Sequence, residues 1–136
     1  MLFFDDLEQI TDGKCVSRTA NLPINALLLD SRKISLESPA ENGLFFAISG
    51  DQQDGHTYIH EVFQSGIRQF IIEKASAISC LPEAECNVIL VDNTVHALQK
   101  IVSHHRNKYS LPVIGITGSN GKTVVKEWLS SLLSGN

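Results

Sequence analysis

The sequence PVIGITGSNGKTVVKEWLSSLL, residues 112–133, joins an apolar run to an amphipathic stretch through a glycine-rich loop. Glycine lets the backbone turn tightly and brings its N–H groups close to phosphate oxygens, and a helix beginning at the loop adds a positive dipole end. Lys122 would then reach the terminal phosphates of a nucleoside triphosphate, and the hydroxyl of Thr123 would ligate Mg²⁺. The stretch predicts a strand over 113–117, a phosphate-binding loop and a final helix. The candidate nucleotide-binding residues are Thr117, Gly118, Ser119, Asn120, Gly121, Lys122 and Thr123.

The spacing of this loop departs from the strict phosphate-loop pattern. That pattern has four residues between its first glycine and the Gly-Lys pair, whereas five residues separate Gly115 from Gly121. The alternative is a glycine-rich turn between a strand and a helix, with a lysine that is merely solvated. The predicted strand before the loop and the predicted helix after it favour the nucleotide site.

Upstream of the loop, short apolar runs bounded by turn residues alternate with segments of helical periodicity. The runs that predict strands are INALLLD (24–30), GLFFAI (43–48), QFIIE (69–73) and VILVD (88–92). One helix is predicted from Thr57 to a closing Gly66, and another after a cap at Asn93 or Thr94. The predicted inward faces of the last two helices carry Val95, Leu98, Ile101 and Val102, and then Val124, Val125, Trp128, Leu129, Leu132 and Leu133. This alternation predicts an α/β fold with mainly parallel strands.

The composition excludes several classes of protein. Hydrophobic residues make up 43% of the chain and charged residues 19%, and the formal net charge is −4. A packed core is therefore expected, and non-specific nucleic-acid binding is disfavoured because it requires a basic surplus. No apolar run approaches the about 20 residues of a membrane-spanning helix. The three cysteines lack Cys-x-x-Cys spacing and are typical of reduced thiols. We expect a cytoplasmic protein with no nucleic-acid partner and no membrane insertion.

Polar residues follow the first predicted strand, in LLLDSRKI (27–34). The hydroxyl of Ser31 and the charged fork of Arg32 are suited to a uracil edge or a diphosphate. Strand ends are often polar for structural reasons, and Arg32 can equally pair with a surface carboxylate. From the residues alone, the structural interpretation is favoured.

Two histidines, His56 and His60, stand four residues apart and could share one face of a helix as metal ligands. The order HExxH is absent and no third ligand is evident. We therefore interpret them as a turn histidine and an exposed helix histidine.

The motif GITGSNGKT (115–123) is similar to the ATP-binding loop of the Mur ligases, the amide-forming enzymes of peptidoglycan precursor synthesis. In that family the longer spacing is normal. LLLDSRKI and GLFFAISGDQQDGHTYI (43–59) resemble the first domain of two branches of the family, which binds the UDP end of the sugar-peptide substrate. The resemblance implies ATP and Mg²⁺ as cofactors, a catalytic role for Lys122 and a magnesium ligand in Thr123. The substrate-binding residues that it implies are Ser31, Arg32, Phe46, Ala47 and Gly50.

The resemblance also implies a division of the chain. We expect a small UDP-binding domain over 1–90, followed over 91–136 by the incomplete start of a phosphate-loop ATPase domain. In the family the remaining metal ligands lie further along, so the chain by itself is expected to be inactive. GSNGKTVVKEW (118–128) looks most like the branch that adds D-alanyl-D-alanine to a UDP-N-acetylmuramoyl tripeptide through an acyl phosphate, including forms fused to a downstream alanine racemase.

Several alternatives stay open. The branch of the family that adds a single amino acid usually has threonines after the loop lysine, where this chain has Val124 and Val125. A folylpolyglutamate synthase shares the loop. A phosphotransferase of the phosphate-loop class usually carries its loop near the N-terminus. A non-catalytic module that binds a nucleotide sugar is the remaining possibility.

Overall fold

The structure is a computed structural model that describes residues 1–34, 42–51, 53–82 and 84–134. The strands are β1 (Leu2–Phe3), β2 (Lys14–Ser17), β3 (Pro23–Ile24), β4 (Ala26–Leu28), β5 (Gly43–Phe46), β6 (Gln69–Ile72) and β7 (Asn87–Leu90). The helices are α1 (Phe4–Thr11), α2 (Ile59–Gln64), α3 (Thr94–Asn107) and α4 (Lys122–Leu133). Short 3₁₀ turns cover Ser31–Lys33, Gly55–Tyr58 and Ala75–Cys80.

Five strands form one sheet in the order β2-β7-β6-β5-β4. The four strands from β4 to β7 run parallel, and β2 pairs antiparallel with β7 at one edge. The predicted α/β fold with mainly parallel strands is therefore confirmed. The strand predicted over 24–30 is present as β4, which is the other edge of the sheet. An edge strand is covered less completely, and Leu27 and Leu29 are exposed.

Both faces of the sheet are covered, which explains the continuous apolar runs of the central strands. On β5, Phe45 points to the face covered by α2, whereas Leu44 and Phe46 point to the face covered by α1 and α3. Phe70 and Ile71 of β6 divide between the two faces in the same way. Since successive side chains of a strand point to opposite faces, no polar face is left in the centre of the sheet.

Helix α3 begins where the sequence predicted a cap. The Asn93 side chain accepts a hydrogen bond from the backbone N–H of His96 at 2.8 Å, which satisfies one of the donors at the start of the helix. Its buried face carries Thr94, Ala97 and Ile101, and Leu98 packs beside them. The predicted inward positions of Val95 and Val102 were wrong, because they lie on the flanks of this stripe and are exposed.

The C-terminal segment differs from the prediction in two ways. The described residues 113–117 form no strand, and Val113 and Ile114 are exposed. A strand needs a hydrogen-bonded neighbour, and this segment has none among the described residues. Helix α4 forms as expected, but its apolar stripe is not a core: Trp128 is 69% exposed, and Leu132 and Leu133 are also exposed. None of the described helices is long and apolar enough to cross a membrane.

Candidate functional site

A cleft lies at the carboxyl ends of β4 and β5, two neighbouring parallel strands. Its volume is about 250 Å³, and its walls are Leu29, Asp30, Ser31, Arg32, Phe45, Ile48, Gly50, Gln53, Gly55 and Tyr58. The carboxyl edge of a parallel sheet is where open α/β folds place their ligands, because the loops that follow the strands diverge there. Ser31 and Arg32, which follow β4, meet Gly50, which follows β5, in this cleft.

One wall of the cleft carries an ion pair between Asp30 and Arg32. Nε of Arg32 donates to Oδ1 of Asp30 and Nη2 donates to Oδ2, each at 2.9 Å. Asp30 also accepts from the backbone N–H of Arg32 at 3.1 Å and so begins the 3₁₀ turn Ser31–Lys33. The hydrogen bond to Asp30 raises the pKa of Arg32. The Arg32 side chain is 74% exposed, so its oriented positive charge is accessible to an anionic ligand.

The opposite wall is formed by residues 49–51 and 53–58, which are called the cleft loop. Gly50 N–H donates to the Gln53 carbonyl at 2.9 Å, and Gly55 N–H donates to the Ile48 carbonyl at 2.8 Å. A Cβ atom on Gly55 would lie 2.7 Å from the nitrogen of Ile48, so only glycine permits this approach. Asp54 begins the 3₁₀ turn Gly55–Tyr58, because its side chain accepts from the backbone N–H of His56.

Two of the predicted substrate-binding residues lie elsewhere. The side chains of Phe46 and Ala47 are fully buried in the two cores and do not line the cleft. The backbone N–H of Ala47 donates to the Ile71 carbonyl at 2.9 Å and is therefore engaged in the sheet. A role for these two residues in substrate binding stays a prediction.

Sequence reasoning missed a polar network behind the cleft loop, centred on His56. Its Nδ1 lies 2.6 Å from Oδ1 of Asp54, and its Nε2 accepts from the backbone N–H groups of Glu73 at 3.1 Å and Lys74 at 3.3 Å. The ammonium group of Lys74 pairs with the other oxygen of Asp54. The interpretation of His56 as a turn histidine is correct for its backbone, but its side chain is only 6% exposed. His60 is exposed, as predicted.

The network continues from Glu73 to the start of α3. Oε2 of Glu73 accepts from the backbone N–H of Thr94 at 3.0 Å and from its hydroxyl at 3.1 Å. Burial raises the pKa of Glu73, but hydrogen bonds from Ser49 and Thr94 outweigh that effect and lower it. Residues that follow β5, β6 and β7 are therefore joined through ionised carboxylates.

A larger cleft, of about 430 Å³, lies between the end of α1 and helix α3. None of the predicted site residues lines it. Lys100, which lines it, donates to Oδ2 of Asp12 at 2.7 Å and to the Thr11 carbonyl at 3.2 Å. Because these contacts link α1 to α3, we assign this cleft a structural role.

The predicted phosphate loop leads directly into α4. Gly118 has a φ of 147° and Gly121 a φ of 78°, and both values favour glycine. Helix α4 begins at Lys122, whose ammonium group donates back to the Gly118 carbonyl. A shallow depression of about 310 Å³ is lined by Ile114, Ile116, Lys122, Thr123 and Lys126. The backbone conformation and the two lysines fit a polyphosphate.

The residues present fit Mg²⁺ less completely. Thr123 offers one hydroxyl group at the start of α4. Among the residues that the structure describes, no group of three or more His, Cys, Asp or Glu side chains could hold a metal ion. A bound magnesium ion would therefore take most of its ligands from phosphate oxygens and from groups other than those described.

Comparison with known proteins agrees with this geometry. The family described as "Mur ligase family, catalytic domain" matches residues 23–106, a range that includes the cleft and ends before the phosphate loop. The chain is 37% identical over 113 residues to the UDP-N-acetylmuramoyl-tripeptide–D-alanyl-D-alanine ligase of Buchnera aphidicola subsp. Baizongia pistaciae, covering 83% of this chain and 23% of that protein.

Another relative carries a different name. The chain is 34% identical over 134 residues to the UDP-N-acetylmuramoyl-L-alanyl-D-glutamate–2,6-diaminopimelate ligase of Clostridioides difficile, covering 97% of this chain and 26% of that protein. Among solved structures, MurF from Acinetobacter baumannii matches 96% of this chain and 27% of its own length, with a TM-score of 0.75 and 30% identity. The chain thus spans about a quarter of the length of these relatives. The chain belongs to the Mur ligase family.

Proposed function

We propose that this chain is part of an ATP-dependent ligase that adds D-alanyl-D-alanine to a UDP-N-acetylmuramoyl tripeptide. In this proposal the cleft between Arg32 and the cleft loop binds the UDP end of the sugar peptide. The observation that carries the proposal is the meeting of Ser31, Arg32 and Gly50 at the carboxyl edge of the sheet, within the range that matches the family. The names of several relatives support the identity of both substrates.

The chemistry of the cleft suits a uridine diphosphate. Asp30 holds the Arg32 guanidinium from one side, which limits its rotation and leaves an exposed, fixed cation for a diphosphate oxygen. The hydroxyl of Ser31 can donate to or accept from a polar edge of the base or a phosphate. The chain has a formal net charge of −4, so the anion is attracted by the local positive charge of Arg32.

We further infer that the loop over Thr117–Thr123 binds the phosphates of ATP. The positive φ values of Gly118 and Gly121, the start of α4 and the ammonium group of Lys122 support this role. ATP supplies the phosphoryl group that activates a substrate carboxylate. In this proposal Lys122 neutralises and positions that group, and the hydroxyl of Thr123 contributes one ligand to Mg²⁺.

Titration of the 136-residue chain with UDP, followed by calorimetry, tests the cleft. Arg32→Ala should weaken UDP binding by about tenfold, because it removes a charge-assisted hydrogen bond and leaves the Asp30 carboxylate facing the ligand. Arg18→Ala is the matched control, since Arg18 is also an exposed arginine paired with an aspartate but does not line the cleft. Equal affinity of Arg32→Ala and the wild type would remove the assignment.

A second candidate is the addition of diaminopimelate to a dipeptide substrate, which the Clostridioides difficile relative favours because it covers 97% of the chain. Phosphate release distinguishes the two candidate functions. It is measured in a polypeptide of the relatives' length that carries this chain. We expect release to require D-alanyl-D-alanine and the tripeptide, and Lys122→Ala to abolish it. Release that instead requires diaminopimelate and the dipeptide would establish the second candidate.

The cellular context follows from this proposal. A ligase that uses ATP and a UDP-linked precursor would act in the cytoplasm, and Cys15, Cys80 and Cys86, none of which is in a disulfide in the structure, are compatible with that location. Fusion to an alanine racemase stays a prediction.

A further inference from the structure

We propose that His56 is a positioning residue for the cleft. In this proposal its imidazole ring holds the cleft loop against the end of β6, so that Gln53, Gly55 and Tyr58 form the wall facing Arg32. The inference rests on the proposed function, in which that cleft binds the UDP end of the substrate.

The contacts of the ring define one tautomer. Two backbone N–H groups, those of Glu73 and Lys74, point at Nε2, which must therefore be the unprotonated acceptor. Nδ1 lies 2.6 Å from a carboxylate oxygen of Asp54 and must carry the proton. The hydrogen bond from Lys74 holds the pKa of Asp54 well below its usual range, so this carboxylate is ionised and accepts. The two ring nitrogens thus contact different segments: Nδ1 contacts the cleft loop, and Nε2 contacts the two residues that follow β6.

Side chains of the cleft loop link it to the end of β6: Asp54 pairs with Lys74, and Ser49 bonds to Glu73. These two links are made to side chains, whereas the His56 ring accepts from backbone N–H groups. The bridge between Ser49 and Asp54 and the bond from Gly55 to Ile48 shape the loop only locally. His56 instead joins the loop to residues 17 and 18 positions away. The ring also satisfies two backbone donors just beyond the last paired residue of β6, where the ladder with β7 ends.

His56 lies between the residues of this wall in the chain. Gln53 and Gly55 precede it, Tyr58 follows two residues later, and all three line the cleft. The Nε2 contacts, together with the Asp54–Lys74 pair, therefore hold this wall at the end of β6, in the sheet from whose edge Arg32 also extends. Loss of these contacts should loosen the wall and lower the affinity of the cleft for its ligand, although His56 does not itself line the cleft.

A matched pair of substitutions separates the two ring nitrogens. The amide of glutamine reaches the position of Nε2, whereas the shorter amide of asparagine reaches only that of Nδ1. His56→Asn should bind UDP about tenfold more weakly than the wild type, and His56→Gln should stay within about threefold of it. His60→Asn, on the exposed side of α2, is the control and should leave the affinity unchanged. Calorimetry on the 136-residue chain measures the affinity, and circular dichroism confirms that each variant is folded.

Equal UDP affinities for His56→Asn and His56→Gln would overturn the proposal. If the wild type does not bind UDP, the proposed function fails and the positioning role for that ligand falls with it. Hydrogen exchange still tests the contact between the His56 ring and the two backbone amides. The Glu73 and Lys74 amides should exchange faster in His56→Asn than in His56→Gln, and equal exchange rates would refute the contact. If His56→Asn does not fold, ¹⁵N chemical shifts of the wild-type ring provide the test. A proton on Nδ1 supports the arrangement, and a proton on Nε2 excludes it.

Discussion

Asp54 connects three parts of the site through one carboxylate. Oδ1 accepts from the backbone N–H of His56 at 3.0 Å and from its ring, and Oδ2 accepts from the ammonium group of Lys74. The bond from Lys74 is the main reason why the pKa of Asp54 is well below its usual range, and the bonds from His56 add to it. The ionised form is therefore the one that the folded protein stabilises.

This shift predicts a loss of stability in acid. A carboxyl group whose pKa is depressed in the folded state stabilises the protein above its unfolded pKa, about 4, and that contribution disappears as the pH falls further. The Asp54 side chain is 30% exposed, so solvent screening limits the contribution to about 1 kcal/mol. Urea unfolding at pH 5 and pH 2.5 should show a smaller decrease in unfolding free energy for Asp54→Asn than for the wild type.

The control for this measurement is Asp12→Asn, which alters an exposed ion pair with Lys100 on another part of the surface. If both substitutions made the acid-induced loss of unfolding free energy smaller by the same amount, that loss could not be assigned to Asp54.

His56 shows where a prediction from single residues stops. The sequence places it after an Asp-Gly pair, which was sufficient to predict the turn. Its burial depends on the end of β6. The two N–H groups from which its ring accepts come close to the ring only when the parallel strands are paired. A local pattern carries no information about partners 17 or 18 residues away, so its connecting role could not be predicted.

Among the elements, α3 shows how local patterning and tertiary contact combine. Asn93 supplies the N-cap from within the chain's own turn, and Glu73 supplies a second acceptor from the end of β6. The cap was predicted because asparagine before an amphipathic stretch is a common helix start. The contribution of Glu73 needs the assembled sheet.

The cap leads to a test of this element. Asn93→Ala should destabilise the protein by about 1 kcal/mol and lower the midpoint of thermal unfolding, because it leaves the N–H of His96 unsatisfied. Asn93→Ser, which restores a side-chain acceptor, should recover most of the loss. The measurement is thermal unfolding followed by circular dichroism at 222 nm, where α3 contributes as the longest helix. Equal midpoints for wild type and Asn93→Ala would show that the cap adds nothing beyond Glu73.

The strands divide into those that the sequence revealed and those that it did not. β5, β6 and β7 are buried on both faces, so each is a continuous apolar run with turn residues at its ends. β2 has no such run, because Lys14 is exposed and the strand lies at an edge. Strands β1 and β3 have only two residues each and exist through their pairing with one another.

At the scale of the whole molecule, the packing favours a later boundary than the one predicted between residues 90 and 91. Helix α3 contributes Ala97 and Ile101 to the same core as Phe4 and Leu7 of α1. We therefore propose that α3 belongs to the first domain and that the division follows Asn107. The division into two domains stays a proposal.

The apolar stripe of α4 and the segment 113–117 have the composition of buried elements but lie exposed. The periodicity of α4 was sufficient to predict the helix, since helical hydrogen bonds form within one segment. The apolar composition of the two segments was not sufficient to predict a strand or a core, because both require a neighbouring surface.

The α/β class, the three central strands, the capped helix and the glycine-rich loop before α4 could all be inferred from the order of residues along the chain. Each of these features depends on burial periodicity or on turn chemistry within a few neighbouring residues. The meeting of Ser31, Arg32 and Gly50 in one cleft required the pairing of β4 with β5. The burial of His56 and the exposure of Trp128 likewise emerged only on folding, because burial depends on which distant surfaces come together.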